Sequence, residues 1–206
     1  MPDPLLTRSD PPTPPRAVAL VLHGGAVRST RAVDGRSASW QRARALQRAL
    51  SPDLHAAGVA VWLLRFRVRG WNDPARPSPL ADARWALETV RRELDLPVAL
   101  LGHSMGARTA VHVADDPSVR GVVGLAPWLP QGEPVAALRD RHLVVGHGRR
   151  DRITSFAQSR AYVERSRTVA RSAEFHDLGD AGHYLLRASG RWNAFAAGSV
   201  LDVLAP

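Results

Sequence analysis

Apolar residues occur in short continuous runs along the chain, and these runs alternate with segments predicted to be helical. A run that is apolar at every position is typical of a strand buried on both faces of a sheet. Four runs are largely of this kind, residues 17–22, 59–66, 98–101 and 119–126, and two further segments, residues 142–146 and 173–178, are also predicted to be strands. Five segments are predicted to be helices: residues 35–50, 78–94, 107–115, 154–168 and 187–204. The alternation predicts an α/β fold with a mostly parallel central sheet of about six strands and helices on both faces.

Tryptophans lie in or directly after several of these predicted elements. Trp40, Trp85 and Trp192 fall within helices, where we expect them to pack into the core. Trp71 and Trp128 each follow a predicted strand, so we expect them at the edge of the sheet where the strands end. There they either line a substrate pocket or pack in the core.

The length of 206 residues suffices for one domain with a substantial core, but not for two ordinary ones. Residues 1–16 contain six prolines and are predicted to form an extended or mobile arm, followed by a single domain over residues 17–206. The arm lacks the features of a signal peptide, and the run 17–22 is too short to span a bilayer. Since cysteine is also absent, we expect a cytoplasmic protein with no membrane partner, either a monomer or a homodimer.

Arginine dominates the charge of the chain. The formal net charge is +9, with 28 Lys+Arg against 19 Asp+Glu, and no lysine occurs. A strongly basic balance is one property of nucleic-acid-binding proteins. Here the arginines are scattered, form no basic run interleaved with aromatic residues and match no nucleic-acid-binding motif. We therefore interpret them as a solvated surface and expect no nucleic-acid partner.

The run at 98–101 is followed by Gly102-His103-Ser104-Met105-Gly106 and then by a predicted helix. Gly-x-Ser-x-Gly between a strand and a helix is the pattern of a nucleophile elbow, a sharp turn that holds the serine in a strained conformation above the sheet. A side chain at either glycine would crowd the crossing of strand and helix. Ser104 is then expected at a helix N-terminus, where free N–H groups favour developing negative charge.

Three further candidates follow other predicted strands. They are the turn His23-Gly24-Gly25, Asp151 within the stretch that begins His147-Gly148, and His183 directly after Gly182. Parallel strands bring their carboxyl ends to one edge of the sheet, so we expect these residues to meet Ser104 there.

With these motifs, and with Arg69-Gly70 after the second strand, residues 17–204 resemble the α/β-hydrolase family, whose triad has the same order of Ser, Asp and His. The resemblance is to compact, esterase-like members without a cap domain, because the connection 127–141 is too short for a helical cap. Residues 1–16 offer no clear counterpart of the first two antiparallel strands of the family.

The resemblance implies a role for each candidate. Ser104 is expected to be the nucleophile, His183 its base, and Asp151 the acid that orients the histidine. The backbone N–H groups of Met105 and Gly25 are expected to form the oxyanion hole, with Ala26 as the alternative if the loop is shifted by one residue. The implied activity is cofactor-free hydrolysis of a small-molecule carboxylic ester or thioester through an acyl-serine intermediate.

Several alternatives stay open at the level of sequence. Asp180, Asp177 and Glu133 compete with Asp151 for the role of the acid, whereas His103 and His147 are interpreted as structural residues. A non-catalytic binding protein with this fold is another hypothesis, as is the same triad used for acyl transfer or for amide, lactone or carbon–carbon cleavage. Metal binding is not expected, because the chain has no His-x-x-x-His pair or acidic cluster with ligand spacing.

Overall fold

The computed structural model describes residues 3–185 and 189–205, and a seven-stranded sheet forms the centre of this part of the chain. The strands are β1 (Leu5–Thr7), β2 (Ala17–Leu22), β3 (Val59–Arg65), β4 (Val98–His103), β5 (Val119–Leu125), β6 (His142–His147) and β7 (Ser172–Asp177). They are arranged in the order β1-β3-β2-β4-β5-β6-β7. All neighbours pair in parallel except β1, which is antiparallel to β3.

Five α-helices pack on these strands: α1 (Ala38–Ala56), α2 (Ser78–Glu93), α3 (Met105–Val113), α4 (Phe156–Ser166) and α5 (Ser189–Val203). Helices α1 and α5 contact each other and cover one face of the sheet, whereas α2 and α3 contact each other on the other face. Helix α4 packs on β6 and β7. No helix of the described residues is long and apolar enough to cross a membrane. The predicted start of the last helix, at residues 187–188, lies outside the described residues.

The continuous apolar runs at the centre of the sheet are strands buried on both faces, as predicted. Every residue of β2 and of β4 is buried, and so is every residue of β3 except the last. These strands lie at the centre of the sheet, where helices cover both faces. Neither face meets solvent, so polar and apolar positions do not alternate along the strands. The predicted mostly parallel sheet with helices on both faces is therefore confirmed.

The amino-terminal segment contributes a seventh strand that the sequence did not predict. Leu5 pairs with Arg65 and Thr7 with Leu63, and Ser9 then exchanges two backbone hydrogen bonds with Val61, at 3.1 and 2.8 Å. Three residues are too few to show a strand pattern, so this pairing depends on the exposed edge of β3. The segment supplies one antiparallel edge strand where the sequence showed no clear counterpart.

The prediction for one tryptophan is wrong. Trp40 and Trp192 are buried, but Trp85 is 37% exposed. Helix α2 turns Ala83 and Leu87 towards the sheet, and both are fully buried. Trp85 lies two residues from each of them, which places it on the opposite side of the helix.

The strand order creates a crevice at the carboxyl edge of the sheet. Strand β2 lies between β3 and β4. The chain therefore adds β3 on one side of β2 and later adds β4 on the opposite side of β2. In parallel sheets, ligands bind outside the strand ends at such a reversal. Between β5 and β6 the chain forms a single 3₁₀ turn, Ala136–Leu138, and no cap.

Candidate active site

Ser104 lies on a strained turn between β4 and α3. Its backbone has φ 54° and ψ −116°, in a region that side chains other than glycine rarely occupy. A Cβ on Gly102 would come within 2.6 Å of the Gly106 carbonyl carbon, and one on Gly106 within 2.7 Å of the His23 carbonyl oxygen. The predicted strain at the serine and the need for glycine on both sides are therefore confirmed.

Asp151 and His183 form a hydrogen-bonded pair after β6 and β7. The Nδ1–H of His183 donates to Oδ2 of Asp151 at 2.8 Å. The Asp151 carboxylate is fully buried and the His183 side chain is 6% exposed. Since Nδ1 carries the proton, Nε2 of His183 holds the lone pair, and it forms no hydrogen bond within the described part of the chain.

Other donors surround the Asp151 carboxylate. Thr154 Oγ1 donates to Oδ2 at 2.8 Å, and His147 Nε2 lies 3.0 Å from the same atom. The backbone N–H groups of Ile153 and Thr154 donate to Oδ1 at 2.7 and 2.9 Å. Burial raises the pKa of Asp151, but the hydrogen bonds from His147, His183 and the backbone outweigh it and hold that pKa far below its usual range. The carboxylate therefore stays ionised beside His183.

His103 connects the elbow to the loop of His183. Its Nε2–H donates to the backbone carbonyl of His183 at 2.8 Å, and the two ring centroids are 4.9 Å apart. Burial, and next the neighbouring His183, lower the pKa of His103 to about 3. The structure thus places the His183 loop against the residue that precedes Ser104. It shows no hydrogen bond between Ser104 Oγ and His183, although it describes both residues.

The turn after β2 is held by a second buried histidine. His23 donates from Nδ1 to the carbonyl of Gly24 at 2.6 Å and accepts the backbone N–H of Phe66 on Nε2 at 3.1 Å. Burial lowers the pKa of His23 to about 4, so the ring is neutral at pH 7. Both ring nitrogens fix the path of the chain into Gly25.

Gly25 and Met105 approach each other closely across the crevice. A Cβ on Gly25 would collide with the backbone carbonyl oxygen of Arg69 as well as with the end of the Met105 side chain, and because the backbone oxygen cannot move aside, only glycine fits. The Gly25 N–H forms no hydrogen bond within the described residues, and the Met105 N–H, as the first of α3, has no partner in the helix. The N–H of Ala26, by contrast, donates to the Arg69 carbonyl at 2.7 Å.

Among the described residues, none of the rival acids forms a hydrogen bond or an ion pair with His183. Glu133 pairs with Arg108 on α3, Asp177 with Arg149, and Asp180 with Arg150.

Trp71 and Trp128 pack against each other at the carboxyl edge of the sheet. Trp71 is 3% exposed and Trp128 is half-buried, with their ring centroids 6.1 Å apart. Arg108 lies against both rings. Sequence reasoning singled out neither Arg108 nor Thr154. The available signal was spacing, since Arg108 follows Ser104 by one helical turn and Thr154 follows Asp151 by three residues.

Among residues 3–185 and 189–205, no group of three His, Cys, Asp or Glu side chains is arranged to hold a metal ion.

A family model described as an alpha/beta hydrolase domain matches residues 45–195. No curated protein matches the chain. Among solved structures, an α/β serine hydrolase without a lid from Xanthomonas campestris superposes with a TM-score of 0.73 and 18% identity, over 98% of this chain and 90% of the other. Est1E from Butyrivibrio proteoclasticus with bound ferulic acid superposes with a TM-score of 0.72 and 12% identity, over 98% of this chain and 96% of the other. A butyrate-bound esterase from Thermogutta terrifontis superposes with a TM-score of 0.70 and 17% identity, over 98% of this chain and 90% of the other. At these identities the likeness establishes the fold.

Proposed function

Since the chain belongs to the alpha/beta-hydrolase domain family, we propose that it is a serine hydrolase that cleaves a carboxylic ester or thioester through an acyl-serine intermediate. One observation carries the proposal above all. His183 donates from Nδ1 to a buried carboxylate, its Nε2 forms no hydrogen bond with any described residue, and its loop contacts the residue that precedes a serine on a strained elbow. The esterase with bound butyrate among the similar structures supports an ester as the substrate.

In the proposed acylation step, Ser104 Oγ attacks the carbonyl carbon of the ester while His183 Nε2 takes its proton. A serine hydroxyl is a weak nucleophile at neutral pH and needs such a base. The ionised Asp151 stabilises the imidazolium and fixes the tautomer that exposes Nε2. His183 then gives the proton to the leaving oxygen or sulfur, the alcohol or thiol departs, and the acyl group stays on Ser104.

The oxyanion formed during the attack is assigned to the N–H groups of Gly25 and Met105. Neither group has an acceptor among the described residues, and a side chain at position 25 would collide with the backbone carbonyl oxygen of Arg69. Ala26 is disfavoured as the alternative donor, because its N–H is already bound to the Arg69 carbonyl. Loss of one such donor typically reduces kcat by about 10²–10³.

Deacylation repeats these steps with water. His183 takes a proton from the water as its oxygen attacks the acyl carbon, and returns a proton to Ser104 Oγ as the carboxylic acid leaves. The free enzyme is regenerated without an external cofactor.

A fluorophosphonate probe tests the nucleophile. We expect one adduct per chain, located at Ser104 by peptide mass mapping, and steady hydrolysis of p-nitrophenyl acetate. Ser104→Ala should eliminate the adduct and lower kcat by about a thousandfold or more. A folded wild-type chain with neither adduct nor turnover contradicts the proposal and favours a non-catalytic binding protein.

A matched pair of variants tests the acid. Asp151→Asn should lower kcat by about 10⁴, because the amide favours the wrong tautomer of His183. Asp180→Asn is the control, since Asp180 is 73% exposed in its side chain and lies three residues from His183 in sequence without contacting its ring. Equal losses in the two variants would refute the assignment of Asp151.

A further inference from the structure

Three donors compete for one oxygen of the Asp151 carboxylate. Oδ2 of Asp151 accepts from Nδ1 of His183 at 2.8 Å and from Oγ1 of Thr154 at 2.8 Å, and Nε2 of His147 lies 3.0 Å away. The other oxygen, Oδ1, already accepts two backbone N–H groups. A carboxylate has about four lone-pair sites, so these donors outnumber the sites that remain on Oδ2.

His147 is committed to this oxygen. Because Asp151 is ionised, the proton between the two residues belongs to His147, and its Nε2–H is the donor. The other ring nitrogen, Nδ1, lies 2.9 Å from Oγ of Ser159, and the ring packs edge to face on Phe156, so α4 brings no charge to His147. The side chains of His147 and Asp151 are both 0% exposed. Water therefore has no access to replace the donor.

The part of Oδ2 that His147 occupies is lost to His183. A neighbouring carboxylate favours the protonated form of a histidine, and hydrogen bonds from other donors to the carboxylate reduce this attraction. A base that is already protonated cannot take the proton of Ser104. The bond from His183 to Asp151 must therefore be strong enough to orient the ring and weak enough to leave Nε2 unprotonated at neutral pH.

The other titratable neighbours of His183 are His103 and Tyr184, whose ring centroids lie 4.9 and 5.4 Å from that of His183. Burial, and next His183 itself, lower the pKa of His103 to about 3, so that ring is neutral. The guanidinium of Arg42 lies over the Tyr184 ring, 4.9 Å from its centroid. Among the described residues, Asp151 is the carboxylate that pairs with His183. A donor that acts on Asp151 therefore acts on the base.

We infer that His147 is a positioning residue that sets the working pH range of His183 through Asp151. By donating to Oδ2, it limits the hold of the carboxylate on a protonated His183. Nε2 of His183 is then available to accept the Ser104 proton at neutral pH. The kinetic consequence rests on the proposed function, whereas the effect on the His183 ring does not.

The pH dependence of kcat/KM for p-nitrophenyl acetate tests the inference, because its acidic limb reports protonation of the base in the free enzyme. His147→Leu removes the competing donor, so the midpoint of this limb should rise by about one pH unit. His147→Gln carries an amide N–H of similar reach and should restore the wild-type midpoint. His142→Leu is the control, because His142 lies at the other end of β6 and contacts Ser172 instead of Asp151. Its midpoint should equal that of the wild type.

The direction of the shift separates this role from a purely structural one. If His147 did no more than hold Asp151 in place, its loss would loosen the contact with His183, and the midpoint would fall. A midpoint that falls or stays unchanged in folded His147→Leu overturns the inference. A His147→Gln variant that titrates like His147→Leu also overturns it, because the donor would then not be the cause.

A second variant and a second readout complete the test. Thr154→Val removes another donor from Oδ2 in a side chain of similar shape, and its midpoint should also rise. If His147→Leu does not fold, this variant decides, and an unchanged or lower midpoint overturns the inference. Titration of the His183 ring by NMR, assigned with His183→Gln, should show the same upward shift without substrate. A wild-type chain that hydrolyses no ester refutes the proposed function, whereas this ring titration still decides the inference.

Discussion

Gly106 is the position at which the elbow tolerates change least. It is the second residue of α3, and it is absent from the residues with positive φ, so its backbone is one that alanine also adopts. A side chain at position 106 is therefore excluded only by the backbone atoms packed against Gly106, and not by the backbone conformation. A Cβ on Gly106 would lie 2.6 Å from the carbonyl carbon of Leu22 and 2.7 Å from the carbonyl oxygen of His23, both of which are backbone atoms at the end of β2. Gly106→Ala therefore measures how tightly α3 is packed on the sheet.

The size of the effect follows from two opposing contributions. Alanine in place of glycine stabilises a helix by about 0.5–1 kcal/mol. Overpacking costs about 1–3 kcal/mol, and here the upper part of that range applies because β2 is buried at every position and cannot shift. We expect a net loss of about 2 kcal/mol in the free energy of unfolding. For a chain of this length this corresponds to a decrease of about 4–8 °C in Tm.

Gly198→Ala is the matched control. Gly198 lies inside α5, and a Cβ there would meet no atom within 4 Å, so only the helix contribution applies. We expect its Tm to rise by about 1–4 °C. Thermal unfolding followed by circular dichroism compares the two variants, and turnover of p-nitrophenyl acetate should decline in Gly106→Ala alone. If Gly106→Ala melts as high as Gly198→Ala, the steric reasoning for the elbow is refuted.

Two further predictions concern stability. His23 and His103 are buried, with pKa values lowered to about 4 and about 3, whereas in the unfolded chain both titrate near 6.5. Below pH 6.5 the unfolded state therefore binds protons that the folded state excludes, and the free energy of unfolding should fall by about 4 kcal/mol from pH 8 to pH 5. Urea unfolding midpoints over this pH range measure the decline. The variant His103→Gln should remove about half of it. Gln47 is buried and donates from Nε2 to the carbonyls of Thr7 and Val61 at 2.8 and 2.7 Å. Gln47→Met should lower the free energy of unfolding by about 1–3 kcal/mol and speed hydrogen exchange in β1. An unchanged urea unfolding midpoint would show that β1 does not depend on this contact.

The sequence was sufficient to predict the six parallel strands, and for the central ones the reason is that their apolar runs result from burial on both faces. It was also sufficient for the strained turn at Ser104, since a serine flanked by two glycines between a strand and a helix is the pattern of such an elbow. Both features depend on residues that are close together in the chain. For the same reason β1 was missed, because three residues gain their strand conformation only from the edge of β3 and from Gln47.

The choice between Gly25 and Ala26 shows what a sequence pattern leaves undecided. Both residues follow the same buried strand, and a shift of one residue in the loop exchanges their roles. The difference is a single hydrogen bond from the Ala26 N–H to the Arg69 carbonyl, which joins segments more than forty residues apart. The position of Arg108 was hidden in the same way, since its two indole neighbours follow different strands.

The four histidines at the carboxyl edge show why geometry must distinguish a base from a structural residue. His23 uses both ring nitrogens for backbone groups, and His147 uses both for Asp151 and Ser159. His103 binds a carbonyl instead of a carboxylate, so no negative charge stabilises its imidazolium, and its lowered pKa makes it a poor base. His183 alone among the four has a carboxylate on Nδ1 and no bond on Nε2 within the described residues. This difference supports His183 as the proposed base, and it gives the other three a physical role, which is to hold Gly25, Ser104 and Asp151 where that base can act.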